Sequence, residues 1–216
     1  MYIAIEGVIG VGKTTLARLL QPAFGAELLL EVFEENPFLS DFYSDRARYA
    51  FQTQIFFLLS RYHQQRRTVP ELIAVGKNLL SDYTFAKDAL FARINLKGDE
   101  LDMYYKVHEA LAEKIQKPDL LVYLQASTDM LMQRIALRDR SYERQMERAY
   151  IHELNLTYEE FFAKPFDHAP VLTIDTNNLN IVQNPEHLKL IENRIRQSLN
   201  LPPFQQMLPL TDSSSR

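Results

Sequence analysis

Residues 7–15 read GVIGVGKTT, and this stretch leaves the least freedom about what must surround it. Gly7, Gly12, Lys13 and Thr14 fit the spacing G-x-x-x-x-G-K-[ST], the apolar run Tyr2, Ile3, Ala4, Ile5 precedes it, and a helix-compatible LARLL follows. A loop that wraps a polyphosphate must turn several backbone N–H groups inward. Glycine permits this because, lacking a Cβ, it reaches positive φ and lets a ligand approach closely. Gly7, Gly10 and Gly12 are three of the chain's six glycines, so its backbone freedom is concentrated here. With Val8, Val11 and Thr15 completing the loop, Lys13 is expected to neutralise β- and γ-phosphates and Thr14 to complete a Mg²⁺ shell. The helix opening near Lys13 adds its positive dipole end.

The rest of the 216 residues supplies the matching framework. Short apolar runs at 26–32, 78–83, 119–125 and 170–175 read as strands, and with residues 2–5 they make five. Helical patterns fall between them at about 45–66, 84–94, 100–116, 130–137 and onward to about 163, with a last one at about 184–199. Buried strands alternating with helices predict an α/β fold with a parallel sheet covered on both faces. Ligands of such folds bind beyond the carboxyl ends of the strands, which gathers the glycine loop, Glu31 and Asp82 along one edge.

Glu31 ends a strand expected beside the one that feeds the glycine loop. A carboxylate there can accept the proton of an attacking hydroxyl or hold Mg²⁺ through water; a solvated acidic turn is the alternative. Asp82, after Leu79 and Leu80, fits an acid that organises Mg²⁺ at a strand end, or else caps a helix. Arg134, Arg138, Arg140, Arg144 and Arg148 place five guanidinium groups in fifteen residues. Such forks pair with charge on transferring phosphoryl oxygens, and the competing reading is a solvated helix paired with Asp139, Glu143 and Glu147.

Taken together, GVIGVGKTT, EVFEENPFLSDFY, FQTQIFFLLSRYHQ, SDYTFAKDALFA, PDLLVYLQAS and RIALRDRSYE resemble the deoxynucleoside kinase family, in particular its bacterial deoxyadenosine/deoxyguanosine kinase-like members. The likeness runs from the start to about residue 185. The stretch 201–216, proline-rich and then polar, predicts a partly disordered tail, and the length predicts one domain over 1–200. The resemblance implies that this is a kinase domain with a three-layer P-loop NTPase fold, a five-stranded parallel sheet and an arginine-rich lid. It also implies transfer of the ATP γ-phosphate, with Mg²⁺, to the 5′-hydroxyl of a deoxyribonucleoside, a purine with deoxyadenosine first. By position, Glu31 matches the family's general base. Gln54, seven residues before Arg61, matches the glutamine that reads the base, with Gln52 close by. Tyr43 and Glu143 match the pair on the sugar 3′-hydroxyl, and Arg134, Arg138 and Arg140 match the lid arginines. Where many members carry an acid followed by Arg-Ser after the third strand, this chain has Ser81-Asp82-Tyr83, so Asp82 keeps the acid and Lys87 stands as the substitute for the arginine. The family forms homodimers through a helix bundle, which the apolar faces of 45–66 and 100–116 would suit.

A nucleoside monophosphate kinase of the thymidylate kinase type is the nearest rival, but it calls for arginines near the third strand to hold an acceptor phosphate. A nucleotide-dependent switch without a small substrate is the other, and it needs no Gln54, Tyr43 and Glu143 constellation. The net charge of −4 argues against nucleic acid or anionic membrane as partner. No apolar run approaches the ~20 residues that span a bilayer. With no cysteine and no room for a signal peptide before the first strand, the expectation is a cytoplasmic protein.

Overall fold

The computed structural model describes residues 1–144, 146–164 and 169–203. Five strands, β1 (Tyr2–Glu6), β2 (Ala26–Leu29), β3 (Asn78–Ser81), β4 (Leu120–Gln125) and β5 (Val171–Asp175), form one parallel sheet in the order β2-β3-β1-β4-β5. Around them run α1 (Lys13–Phe24), α2 (Leu39–Ser44), α3 (Arg46–Ala74), α4 (Lys87–Asn95), α5 (Gly98–Ala112), α6 (Thr128–Arg138), α7 (Arg148–Phe162) and α8 (Pro185–Ser198). The residues of β1 are buried on both faces, and the period-two pleat divides them. Ile3 and Ile5 join the larger core with Leu16, Leu20 and Tyr150, whereas Tyr2 and Ala4 join a smaller one with Val69, Leu79 and Tyr83. The expected tail lies, from residue 204 onward, outside the described residues.

Three expectations are corrected. The strand that precedes Glu31 is not beside β1, because β3 stands between them and β2 pairs only with β3. That strand is also shorter than 26–32. Its ladder stops at Leu29 opposite Ser81, and the Asp82 side chain then accepts the Glu31 N–H at 2.8 Å, which draws the chain out of the sheet. The helix expected to end near residue 66 instead continues through Pro70 to Ala74. An interior proline costs about 3 kcal/mol. Val69, 1% exposed, and its neighbours Leu72 and Ile73 pack on the smaller core, and a fully buried large apolar side chain contributes about 1.5–3 kcal/mol, enough to offset it.

Candidate active site

Each glycine of the phosphate loop has positive φ: 144° at Gly7, 87° at Gly10 and 105° at Gly12. A Cβ on Gly7 would stand 2.5 Å from the Leu124 carbonyl oxygen, so the loop lies on β4 at a separation only glycine allows. Val8 and Val11 send their side chains into the core and leave only backbone to a ligand, while Thr15 is exposed. Lys13 Nζ donates to the Gly7 and Val8 carbonyls at 2.7 and 3.1 Å, curling over its own loop. Burial pushes its ammonium down to about 8, and Lys87 adds to that shift against the pull of Glu6, Glu31 and Asp82.

Asp82, immediately after β3, joins the loop to the acidic segment. One carboxylate oxygen accepts the Thr14 hydroxyl and the other the Glu31 N–H. Glu31 is itself gripped by two cations: Lys87 donates to Oε2 at 2.7 Å, and Arg61 donates to Oε1 through Nε at 3.0 Å and also through Nη2. Burial raises the Glu31 carboxyl, but the Arg61 and Lys87 charges outweigh it and hold the group well below the usual carboxylate range. The other end of the Arg61 fork pairs with Asp88, which is fully buried. Sequence reasoning missed Asp88. Its only signal was an acid directly after Lys87 in the first turn of a helix, and acids are common there without any ligand.

Gln54 and Gln52 differ by two positions on α3, which turns them to opposite faces. Gln54 is 2% exposed and faces the cavity, whereas Gln52 is exposed to solvent. Tyr43 comes from α2, an element with no sequence signal strong enough to separate it from the helix that follows, and its ring stacks at 6.1 Å on Tyr142. Burial, helped by Tyr150 and Glu143, raises the Tyr43 phenol well above its ordinary value, so it remains a hydrogen-bond donor.

The arginines do not act as one cluster. Arg138 forms a bidentate pair with Glu143, with contacts of 2.6 and 3.1 Å, and Arg140 lies 3.7 Å from the same carboxylate with its guanidinium 4.0 Å over the Phe33 ring. In this state the two expected phosphate ligands are held on the glutamate expected to hold the sugar. Arg134 departs from the lid expectation. It donates to the Val11 carbonyl at 3.2 Å and to the Thr176 hydroxyl and carbonyl at 2.9 and 2.7 Å, tying the phosphate loop to the segment after β5. Arg144 and Arg148 form exposed pairs with Asp139 and Asp129, the solvated reading. The physical reason is that α6 ends at Arg138 and Asp139 takes a left-handed φ of 49°, so no continuous helix aligns the five.

A cavity of about 270 Å³ is lined by Lys13 and Thr14 of the phosphate loop, by Glu31 and Lys87, by Tyr43 and Gln54, and by Arg138, Arg140 and Glu143. A second groove is lined by Arg134, Leu137 and the stretch 176–182 and shares Gly10, Gly12 and Thr15 of the phosphate loop with the first.

The model of the family described as deoxynucleoside kinase matches residues 3–200. The chain belongs to the deoxynucleoside kinase family. It is 34% identical over 199 residues to the deoxyguanosine kinase of Bacillus subtilis, spanning 91% of this chain and 96% of that one. It is 33% identical over 192 residues to the deoxyadenosine kinase of Dictyostelium discoideum, spanning 87% and 76%. Deoxyadenosine kinase from M. mycoides, solved with the products dCMP and a flexible dCDP bound, superposes with a TM-score of 0.81 at 28% identity, covering 91% of this chain and all of that one. The same M. mycoides enzyme has also been solved with dATP bound.

As a deoxynucleoside kinase the protein is an ATP-dependent phosphotransferase, and its donor set fits the Mg²⁺ such chemistry uses. Thr14 and Asp82 already meet through a hydrogen bond, one hydroxyl and one carboxylate at the mouth of the phosphate loop. Among the described residues no group of three or more His, Cys, Asp or Glu could hold a metal by itself. That composition suits Mg²⁺, which retains water and takes phosphate oxygens beside one or two protein ligands. No helix of the described residues is long and apolar enough to cross a membrane.

Proposed function

We propose that this kinase transfers the ATP γ-phosphate to the 5′-hydroxyl of a purine deoxyribonucleoside, deoxyadenosine first. The observation that carries the reading is one cavity whose lining brings Lys13 and Thr14 of the phosphate loop together with Glu31, Tyr43 and the buried Gln54. Gln54 offers a donor and an acceptor to a base edge, and Arg61 adds donors backed by Asp88. Tyr43 donates to the 3′-hydroxyl, and Glu143 accepts from it once Arg138 and Arg140 leave for the phosphates. The 5′-oxygen attacks the γ-phosphorus, its proton passes to the Glu31 carboxylate, the bond to the β-phosphate oxygen breaks, and ADP departs. Lys87 lies close enough to Glu31 to supply the positive charge that the Ser81-Asp82-Tyr83 segment lacks. Thr14 and Asp82 would hold Mg²⁺, which would supply positive charge to offset that of the donor phosphates. The donor's base fits the second groove, where Leu137 and Val182 are exposed apolar walls beside Asn178 and Asn180.

Leu59 on α3 and Met103 on α5 are exposed at 41% and 54%, which supports pairing of two copies through these helices. A homodimeric cytoplasmic enzyme of nucleotide salvage is the resulting picture. The decisive experiment supplies Mg-ATP with deoxyadenosine, deoxyguanosine, deoxycytidine and the corresponding monophosphates as acceptors. The purine deoxynucleosides should be the best acceptors, and exclusive use of monophosphates would overturn the proposal.

A further inference from the structure

Glu6 ends β1 directly behind the phosphate loop, is 1% exposed, and has no part in the transfer just described. Four donors converge on it. The Thr84 N–H and hydroxyl reach Oε1 at 2.6 and 2.9 Å, and the Gly7 N–H and the Tyr158 hydroxyl reach Oε2 at 3.2 Å each. A strand end inside a parallel sheet ordinarily takes an apolar residue, and burying a carboxylate there is unfavourable unless its lone pairs are satisfied. Here they are, by the N–H of the adjoining Gly7 and by groups from two distant segments. Gly7 opens the loop whose carbonyls hold Lys13. Thr84 lies in the turn between Asp82 and Lys87, and its carbonyl accepts the Lys87 backbone N–H at 3.3 Å. Tyr158 belongs to α7, the helix that follows the arginine-bearing turn.

We infer that Glu6 is a positioning residue that fixes the phosphate loop against the turn after β3, setting the separation between the donor phosphates at Lys13 and the acceptor-side groups Asp82 and Lys87. The inference rests on the roles proposed above for those three residues. On the ligand side the two segments are tied by the Thr14 hydroxyl on Asp82, but Mg²⁺ would claim both groups. The Glu6 carboxylate is a tie on the protein side that persists when they are engaged. Glutamine cannot replace it. An amide has one acceptor oxygen and one donor NH₂, and although the Thr84 and Tyr158 hydroxyls can rotate, the backbone N–H groups of Gly7 and Thr84 cannot. Turned one way the amide loses the Thr84 N–H and frees the turn after β3; turned the other it leaves the Gly7 N–H, which opens the phosphate loop, facing a donor instead of an acceptor.

The test compares Glu6→Gln, Thr84→Val and Tyr158→Phe in the full chain, measuring kcat, KM for each substrate, the affinity for ATP alone by calorimetry, and melting by circular dichroism. A misplacement of about 1 Å in a transfer site costs on the order of 100-fold, so Glu6→Gln should lose roughly 10- to 100-fold in kcat with each KM and the ATP affinity changed less than about threefold. Thr84→Val keeps the N–H bond but loses the hydroxyl, and kcat should fall about three- to tenfold; Tyr158→Phe leaves both segments tied and should keep kcat within about twofold. An unchanged kcat in a Glu6→Gln protein that merely melts earlier would reduce Glu6 to a structural residue. Loss of ATP affinity in proportion to kcat would confine its action to the phosphate loop and overturn the coupling. Should Glu6→Gln not fold, the Thr84→Val and Tyr158→Phe pair decides, and equal kcat values for the two sink the inference. Lys13→Ala separates this from the underlying reading. Transfer by folded Lys13→Ala would remove the loop's assigned role, whereas an inactive Lys13→Ala beside a fully active Glu6→Gln rejects the Glu6 role alone.

Discussion

Two carboxylates at the residue scale are held by cations before any substrate arrives, Glu31 by Arg61 and Lys87, and Glu143 by Arg138 and Arg140. For Glu31 this keeps the carboxyl ionised, since the two charges hold it below the usual range. Glu31→Gln keeps the shape and cannot take the proton, so kcat should fall by ~10²–10⁴-fold with little change in ATP affinity. Steady-state kinetics together with ATP titration checks this, and parallel losses in both would assign Glu31 to organising the metal. Glu143 and Tyr43 make a second, independent prediction. A site built to pair a hydroxyl rejects analogues that lack it, by up to ~10⁴–10⁵-fold, so 2′,3′-dideoxyadenosine should be a far poorer acceptor than deoxyadenosine. Equal rates would remove the pair from sugar recognition.

Among the elements, α3 does the most positioning, because one helix carries Gln54 toward the cavity, Arg61 toward Glu31 and Asp88, and Val69 into the smaller core. The helix therefore has to remain in register over 29 residues despite Pro70. Pro70 is exposed, unlike Val69 beside it, which is buried in the smaller core. Pro70→Ala restores an N–H donor to the ladder, and recovering even ~1 kcal/mol should raise Tm by about 2–4 °C in a chain of this size. Activity should not change, because Gln54 and Arg61, which line the cavity from α3, lie more than two turns before Pro70. A lower Tm would mean that the rigidity proline gives the unfolded chain outweighs the missing bond.

At the scale of the whole molecule, the two cores contain tyrosines whose phenols are buried rather than paired with bases. Burial is the chief cause that pushes Tyr2, Tyr123 and Tyr150 up to about 12. An unfolded tyrosine titrates near 10. Each of the three therefore contributes stability that is complete below pH ~10 and is lost as pH rises toward about 12. Denaturant unfolding followed by circular dichroism should show a steep fall across that window, with tyrosinate absorbance appearing as the protein unfolds. Titration of these phenols near 10 in the folded state would contradict their burial. Quaternary structure gives the other prediction at this scale. On the proposed pairing the parent should elute as a dimer and the double variant Leu59→Glu, Met103→Glu as a folded monomer, and an unchanged elution would move the interface elsewhere.

The sequence by itself determined the strand, glycine loop and helix at 2–24, the five parallel strands, and the gathering of Lys13, Glu31 and Asp82 at one sheet edge, while its resemblance to the family implied that Tyr43, Arg61, Lys87, Arg138, Arg140 and Glu143 join them. Periodicity and glycine placement are local properties of the chain, and the spacing within α3 fixes which residues share its face. Only the tertiary structure decided the neighbours. It put β3 between β1 and β2, chose Gln54 over Gln52 for the cavity, sent Arg134 to Thr176, and buried Glu6 and Asp88 as charges. These outcomes depend on partners distant in sequence. A charge enters a core only where donors from other segments converge on it, and no pattern along β1 or α4 records the Thr84, Tyr158 or Arg61 that meet there.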